Sequence, residues 1–248
     1  MLLALSTECL KGYGLARIFQ FAKDARYNGI NLAMDPADFD TCDADYVQTL
    51  VDQIGLPVLV VQAPKKTSES GVEDAVNMAK KLGVKIVIIQ SPKIFDLKLI
   101  KWVKNVIPKI RQKESISIAL ENAASKTMLG FIPENAMNSI NELKKFKHAS
   151  LDTSRVAEKK EDLIRVYKAL QKFLVHIHLS NVYRGKPYAA PEVGVLPLES
   201  FLAKLKQDDF QGVISLRVKP SNFHVGHREK MMESLEDSLK YCLKYLNQ

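Results

Sequence analysis

Short β-rich runs recur roughly every 30 residues along this chain, and a stretch of helical periodicity follows each one. The runs are Leu2–Ser6, Gly29–Ala33, Pro57–Gln62, Lys85–Gln90, Ser115–Glu121, His148–Asp152, Phe173–Leu179 and Gly212–Val218. Amphipathic stretches alternate with them at Leu15–Tyr27, Ala44–Ile54, Val72–Leu82, Leu97–Gln112, Pro133–Lys144, Lys160–Gln171, Leu198–Lys206 and Glu229–Leu246. Eight strands, each followed by a helix, predict a (β/α)8 TIM barrel. No linker-like stretch divides the 248 residues, so one domain spanning 1–248 is expected. An open doubly wound sheet is the competing arrangement. It would need a glycine-rich phosphate loop after the first strand, and Gly12-Tyr13-Gly14 lacks the third glycine at the required offset.

Strand parity then places side chains, because alternate residues point to opposite faces. In Ser115–Glu121, Ile116, Ile118 and Leu120 must meet the helices, which turns Ser117, Ala119 and Glu121 into the barrel. The same logic turns Ser150 and Asp152, His176 and His178, and Ser215 and Arg217 inward. Each strand thus ends in an inward polar group at the C-terminal rim, the end of such barrels that carries chemistry.

Composition limits the function classes. No apolar run reaches the ~18 residues that cross a bilayer, so no membrane partner is expected. The segment Met1–Thr7 has no basic flank and reads as a first strand rather than a signal. Cys9, Cys42 and Cys242 are odd in number and lack C-x-x-C spacing, which fits reduced thiols and a cytoplasmic location. The net charge of +8 is spread over pairs such as Lys80-Lys81 and Lys159-Lys160 that sit among acids. A nucleic-acid binder would show a basic stripe with interleaved aromatics, so nucleic acid is not the expected partner.

Four segments resemble motifs of the xylose isomerase-like barrels, a superfamily of sugar isomerases and epimerases that also holds apurinic endonucleases. They are Ala119-Leu120-Glu121-Asn122, Leu151-Asp152-Thr153-Ser154-Arg155, Val175-His176-Ile177-His178-Leu179-Ser180-Asn181, and Gly194 through Arg217. The resemblance implies a divalent Mn, Mg or Zn site with Glu121, Asp152, His178 and one more acid as ligands, a donor set that suits those ions. Arg217 stands where that acid should be, and Arg155 where the family has a histidine. Asn181 replaces another acid, and Gln62 and Gln90 end the third and fourth strands where the endonuclease branch has histidines.

Two guanidinium groups carry the same charge as a divalent ion, and they bridge carboxylates in a bidentate fork. The expectation is therefore a lost metal, no cofactor, and an ion-pair network in its place. Glu121, Asp152, His178 and Arg217 are the candidate catalytic residues: Glu121 or His178 as base, Arg217 as oxyanion stabiliser. Arg155, Gln62, Gln90, Asn181 and Lys219 are the candidate binding residues for a small anionic sugar-like ligand. The lysines just after the strands, among them Lys65, Lys66, Lys93, Lys126 and Lys219, would make the mouth positive. Three readings follow: a sugar isomerase/epimerase-like protein working by proton transfer, a non-catalytic binding or scaffold protein, and an endonuclease-like DNA binder. His176 reads as a hydrogen-bonded core histidine, and His224 and His227 as solvated loop residues.

Overall fold

The computed structural model describes residues 1–246. Eight parallel strands close into a barrel: β1 (Leu2–Ser6), β2 (Gly29–Ala33), β3 (Val58–Gln62), β4 (Ile86–Ile89), β5 (Ser117–Glu121), β6 (Ala149–Asp152), β7 (Leu174–Leu179) and β8 (Val213–Leu216). Each pairs with its sequence neighbours, and β8 returns to β1. Their alternation splits the apolar residues into two clusters. Leu3, Leu5, Val61, Ile89, Ile118, Leu120, Ile177 and Ile214 pack with the helices, whereas Ala4, Val60, Ile88 and Val213 form a separate group inside the barrel. The fold is the α/β TIM barrel that the eightfold alternation predicts.

The helices are α1 (Leu15–Asp24), α2 (Ala44–Ile54), α3 (Glu69–Lys81), α4 (Leu97–Asn105), α5 (Ile107–Glu114), α6 (Ile140–Phe146), α7 (Thr153–Glu158), α8 (Leu163–Leu170), α9 (Leu198–Gln207) and α10 (Arg228–Leu246). Side-chain caps set several starts. Asp43 accepts from Asp45 N and Tyr46 N at α2, and Ser68, Asp96 and Asp162 do the same work at α3, α4 and α8. Gly55 ends α2 in the left-handed region at φ 69°, where a side chain would be strained.

Three helices differ from the sequence expectation. The stretch Leu97–Gln112 is two helices, because Pro108 has no N–H to continue the ladder and sits instead in the first turn of α5. Pro133 does not open a helix. It pairs in a two-stranded ribbon, Thr127–Met128 with Ile132–Pro133, and the start of α6 is fixed seven residues later by a Ser139–Glu142 capping box. The third stretch begins only at Leu163, and the extra helix α7 precedes it. A second ribbon, Asn181–Tyr183 with Lys186–Ala189, crosses the region after β7. Among the described residues no helix is long and apolar enough to cross a membrane.

Candidate active site

The register brings the predicted polar groups to one level at the C-terminal rim. Asp152 lies beside His178, Ser150 beside His176 and also beside Glu121, and Ser215 beside His178. Arg217 follows the last residue of β8, but its N–H still donates to Leu179 O at 3.1 Å. The ladder thus continues one residue further and Arg217 keeps the inward parity of Ser215. Arg155 arrives by a different route. Asp152 caps α7, its Oδ1 accepting from Arg155 N at 3.1 Å, so the third helical residue projects its side chain over the strand ends. Asn122 fixes this corner by donating to Asp152 O at 3.1 Å and accepting from Asp152 N at 2.7 Å.

Glu121, Asp152 and His178 are each 0% exposed, and Arg155 and Arg217 nearly as buried. Glu121 Oε2 accepts from Arg155 Nη1 at 2.6 Å, from Gln90 Nε2 at 2.6 Å and from Arg217 Nη1 at 3.1 Å, while Oε1 meets His178 Nδ1. Asp152 Oδ2 lies 3.1 Å from Arg217 Nη1 and 3.6 Å from Arg155 Nε. His178 Nε2 is 2.7 Å from the Asn31 side-chain amide, and its Nδ1 faces Glu121 Oε1. One layer below, His176 bonds Ser150 and Ser215 through both ring nitrogens at 2.8 Å, as a core histidine does.

Electrostatics follow from this packing. Burial alone would raise the Glu121 carboxyl, but Arg155, His178 and Arg217 hold it well below the usual carboxylate range. It is therefore a fixed anion and a weak base. Burial would lower Arg217, and Glu8, Glu121 and Asp152 more than offset this. Burial drives His176 well below the ordinary imidazole value, so it is neutral.

Glu121, Asp152 and His178 offer metal-type ligand atoms within 4.8 Å of one another. The donor set suits a divalent ion. Every one of those side chains, however, already has protein hydrogen-bond partners: both oxygens of Glu121, both of Asp152, and both nitrogens of His178. Arg217 Nη1 stands within 3.1 Å of both carboxylates, where a cation would otherwise bridge them. The residues as arranged thus place a guanidinium between the two carboxylates.

Three participants have no counterpart in the sequence reading. Glu8 accepts from Arg217 Nε at 3.0 Å and pairs with Lys65 Nζ at 2.7 Å. Burial would raise its carboxyl, yet Arg217 and Lys65 pull it down to about 2. Ala4, Ser6 and Glu8 share one parity, which is the signal that could have found it. Asn31 orients His178 from inside β2, as described. Tyr188, on the second ribbon, presents its hydroxyl 3.4 Å from Arg155 Nε and its ring 5.5 Å from the Arg217 guanidinium. Burial, then Asp152, push its phenol up to about 12.

The candidate binding residues divide. Gln90 bridges Glu121 and Arg155 Nη1, the latter at 2.8 Å. Gln62 is buried beside Glu8. Lys219 is exposed at the rim. Asn181 does not join them. Its amide donates to Pro191 O and accepts from Val182 N and Leu196 N, so it holds the loop. A side chain at Gly194, where φ is 154°, would come within 2.3 Å of that amide.

Above the cluster lies a cleft of about 480 Å³, walled in part by Gln90, Arg155, Tyr188 and Arg217. Lys11, Lys65, Lys66, Lys93, Lys126 and Lys219 also line it, against only Glu8, Asp96 and Glu134. Glu121, Asp152 and His178 lie beneath and do not reach its wall.

Comparison with known proteins agrees with this architecture. An uncharacterised Mycobacterium leprae protein is 22% identical over 279 aligned residues, which cover 98% of this chain and 96% of the relative. The D-psicose 3-epimerase of Clostridium cellulolyticum, solved with D-tagatose, superposes with a TM-score of 0.75 at 12% identity over 99% of each chain. The 3-keto-D-glucoside 4-epimerase of E. coli does so with a TM-score of 0.73 at 13% identity, over 98% of this chain and 99% of the other. At such identities the likeness is one of fold. The match that assigns the family runs over residues 19–242, and by it this chain belongs to the xylose isomerase-like TIM barrels.

Proposed function

We propose that this isomerase/epimerase-like barrel binds a small anionic sugar-like ligand at its C-terminal mouth, with Arg155 and Arg217 in the place of the family's divalent ion. One observation carries the reading: of the six lysines at the cleft, Lys11, Lys65 and Lys93 are paired with Asp35, Glu8 and Glu134, while Lys66, Lys126 and Lys219 have no acidic partner among the described residues. A volume of about 480 Å³ suits a small molecule. Gln62 and Gln90, in place of the histidines of the endonuclease branch, disfavour the endonuclease-like reading. Sugar-like chemistry is supported by fold neighbours that are epimerases of ketoses and glucosides. Gln90 and the Tyr188 hydroxyl provide neutral hydrogen-bonding groups beside the two cations.

Proton-transfer chemistry would use the Glu121–His178 pair as base and Arg217 as oxyanion donor. The burial of that pair and the low basicity of Glu121 favour binding without turnover. Thermal melts separate the outcomes. Sugar phosphates at millimolar concentration should raise the melting temperature more than neutral sugars, and the gain should shrink in Arg217→Lys. Equal shifts for both classes, or none for either, would reject the anion site. Exchange of a carbonyl-adjacent proton with deuterated solvent, followed by NMR, would establish turnover.

A further inference from the structure

A larger cleft, of about 950 Å³, opens beside the cationic one among the loops after β1, β2 and β3. Glu8, Lys11, Lys65 and Lys66 line both, so the two make one continuous trough. Its character changes along its length. In the larger part three lysines face four acids, and Lys11 is paired with Asp35 at 2.8 Å. That charge balance gives no second anion site. Its wall instead carries Tyr13, Met34 and Phe39.

Phe39 is 83% exposed, although it opens a short 3-10 turn that is well tied down. Thr41 Oγ1 holds the turn, donating to Asp38 O at 2.7 Å and accepting from Asp35 N at 2.9 Å. A large ring is therefore held in water at the cleft's rim, at a cost that a bound apolar group would relieve. Gln62 adds an independent observation. It lines the same cleft at 1% exposure, its Nε2 lies 3.5 Å from Glu8, and its Oε1 has no hydrogen-bond partner. A buried acceptor left unpaired is unfavourable, and a ligand hydroxyl would satisfy it.

We propose that the trough takes a two-part ligand: an acidic sugar-like head in the cationic cleft, a head hydroxyl donating to Gln62 Oε1, and an uncharged aromatic substituent against Phe39 and Tyr13. The substrate class is thus an aryl conjugate of an acidic sugar. This rests on the reading that the mouth binds an anionic sugar.

Titration calorimetry with glucuronate, methyl β-D-glucuronide, p-nitrophenyl β-D-glucuronide and p-nitrophenyl β-D-glucoside tests it. The nitrophenyl glucuronide should bind roughly tenfold or more tighter than the methyl one, as expected for ring stacking with apolar burial. Phe39→Ala should abolish that gain and leave the methyl glucuronide unchanged. Gln62→Met should weaken every glucuronide about tenfold without lowering the melting temperature, because it removes an unpaired acceptor. Equal affinity for methyl and nitrophenyl glucuronides would overturn the aromatic site and leave the anion reading standing. A nitrophenyl glucoside that binds as tightly as the glucuronide would show that the head needs no charge and would overturn the two-part ligand. Absence of binding by all four would overturn it too, while the sugar-phosphate melts judge the anion site separately.

Discussion

Replacing Arg217 by alanine removes one guanidinium from three carboxylates at once. Its Nη1 lies 3.1 Å from Glu121 Oε2 and 3.1 Å from Asp152 Oδ2, and its Nε lies 3.0 Å from Glu8 Oε2. Glu121 and Asp152 are wholly buried, so water cannot take over the lost charge. Among the described residues Arg155 remains as the other buried arginine beside them, and Lys65 stays with Glu8. Breaking such a buried network by deleting one partner costs about 3–5 kcal/mol. For a domain of 150–250 residues each kcal/mol moves the melting midpoint by about 2–4 °C, so the drop should be roughly 6–20 °C. Calorimetry at pH 7 reads this directly. Charge, rather than lost packing, has a second signature. In the variant the uncompensated carboxyls can protonate, so its deficit relative to the parent should narrow as the pH falls below about 4.5. A midpoint within 2 °C of the parent at pH 7, or a deficit independent of pH, would refute the buried-network account.

The parent itself should lose stability in acid. Glu8 and Glu121 both have depressed folded values, so they stabilise the fold above their unfolded values, and the contribution disappears as pH falls through the folded ones. For Glu8 the window runs from its ordinary 4.5 down to about 2, and urea denaturation of Glu8→Gln should show a flatter profile there than the parent. Restoring the family's ligand types with Arg217→Glu and Arg155→His should give a protein that binds Mn²⁺ more tightly than the parent by titration calorimetry; no gain would mean that the rim geometry has moved beyond metal coordination.

Period-two alternation makes the barrel and the inward set Glu121, Asp152, His178 and Arg217 legible in the sequence, because strand parity carries position directly. Glu8 obeys the same parity but sits two residues beyond β1 on a 3-10 turn, outside the β-rich run Leu2–Ser6. Tyr188 had no periodic signal: it lies on a ribbon with a local φ of 64°, and only tertiary packing carries it to Arg155 and Arg217. Asn181 sat at the right rim level, yet its amide turned to the loop because three backbone groups there needed partners. The amphipathic stretch from Pro133 becomes helical only at Ile140, where the Ser139–Glu142 capping box is the stronger start signal.

Asp152 divides its two oxygens between tasks: Oδ1 holds the first turn of α7, and Oδ2 holds Arg217. Helix α7 in turn carries Arg155, the second guanidinium of the same cluster. The acid therefore sits in a closed loop of dependence, in which the residue that needs neutralising also aims the group that neutralises it. An alanine at this position would confound a lost charge with a misplaced arginine. Asparagine, which still caps a helix but carries no charge, separates the two effects.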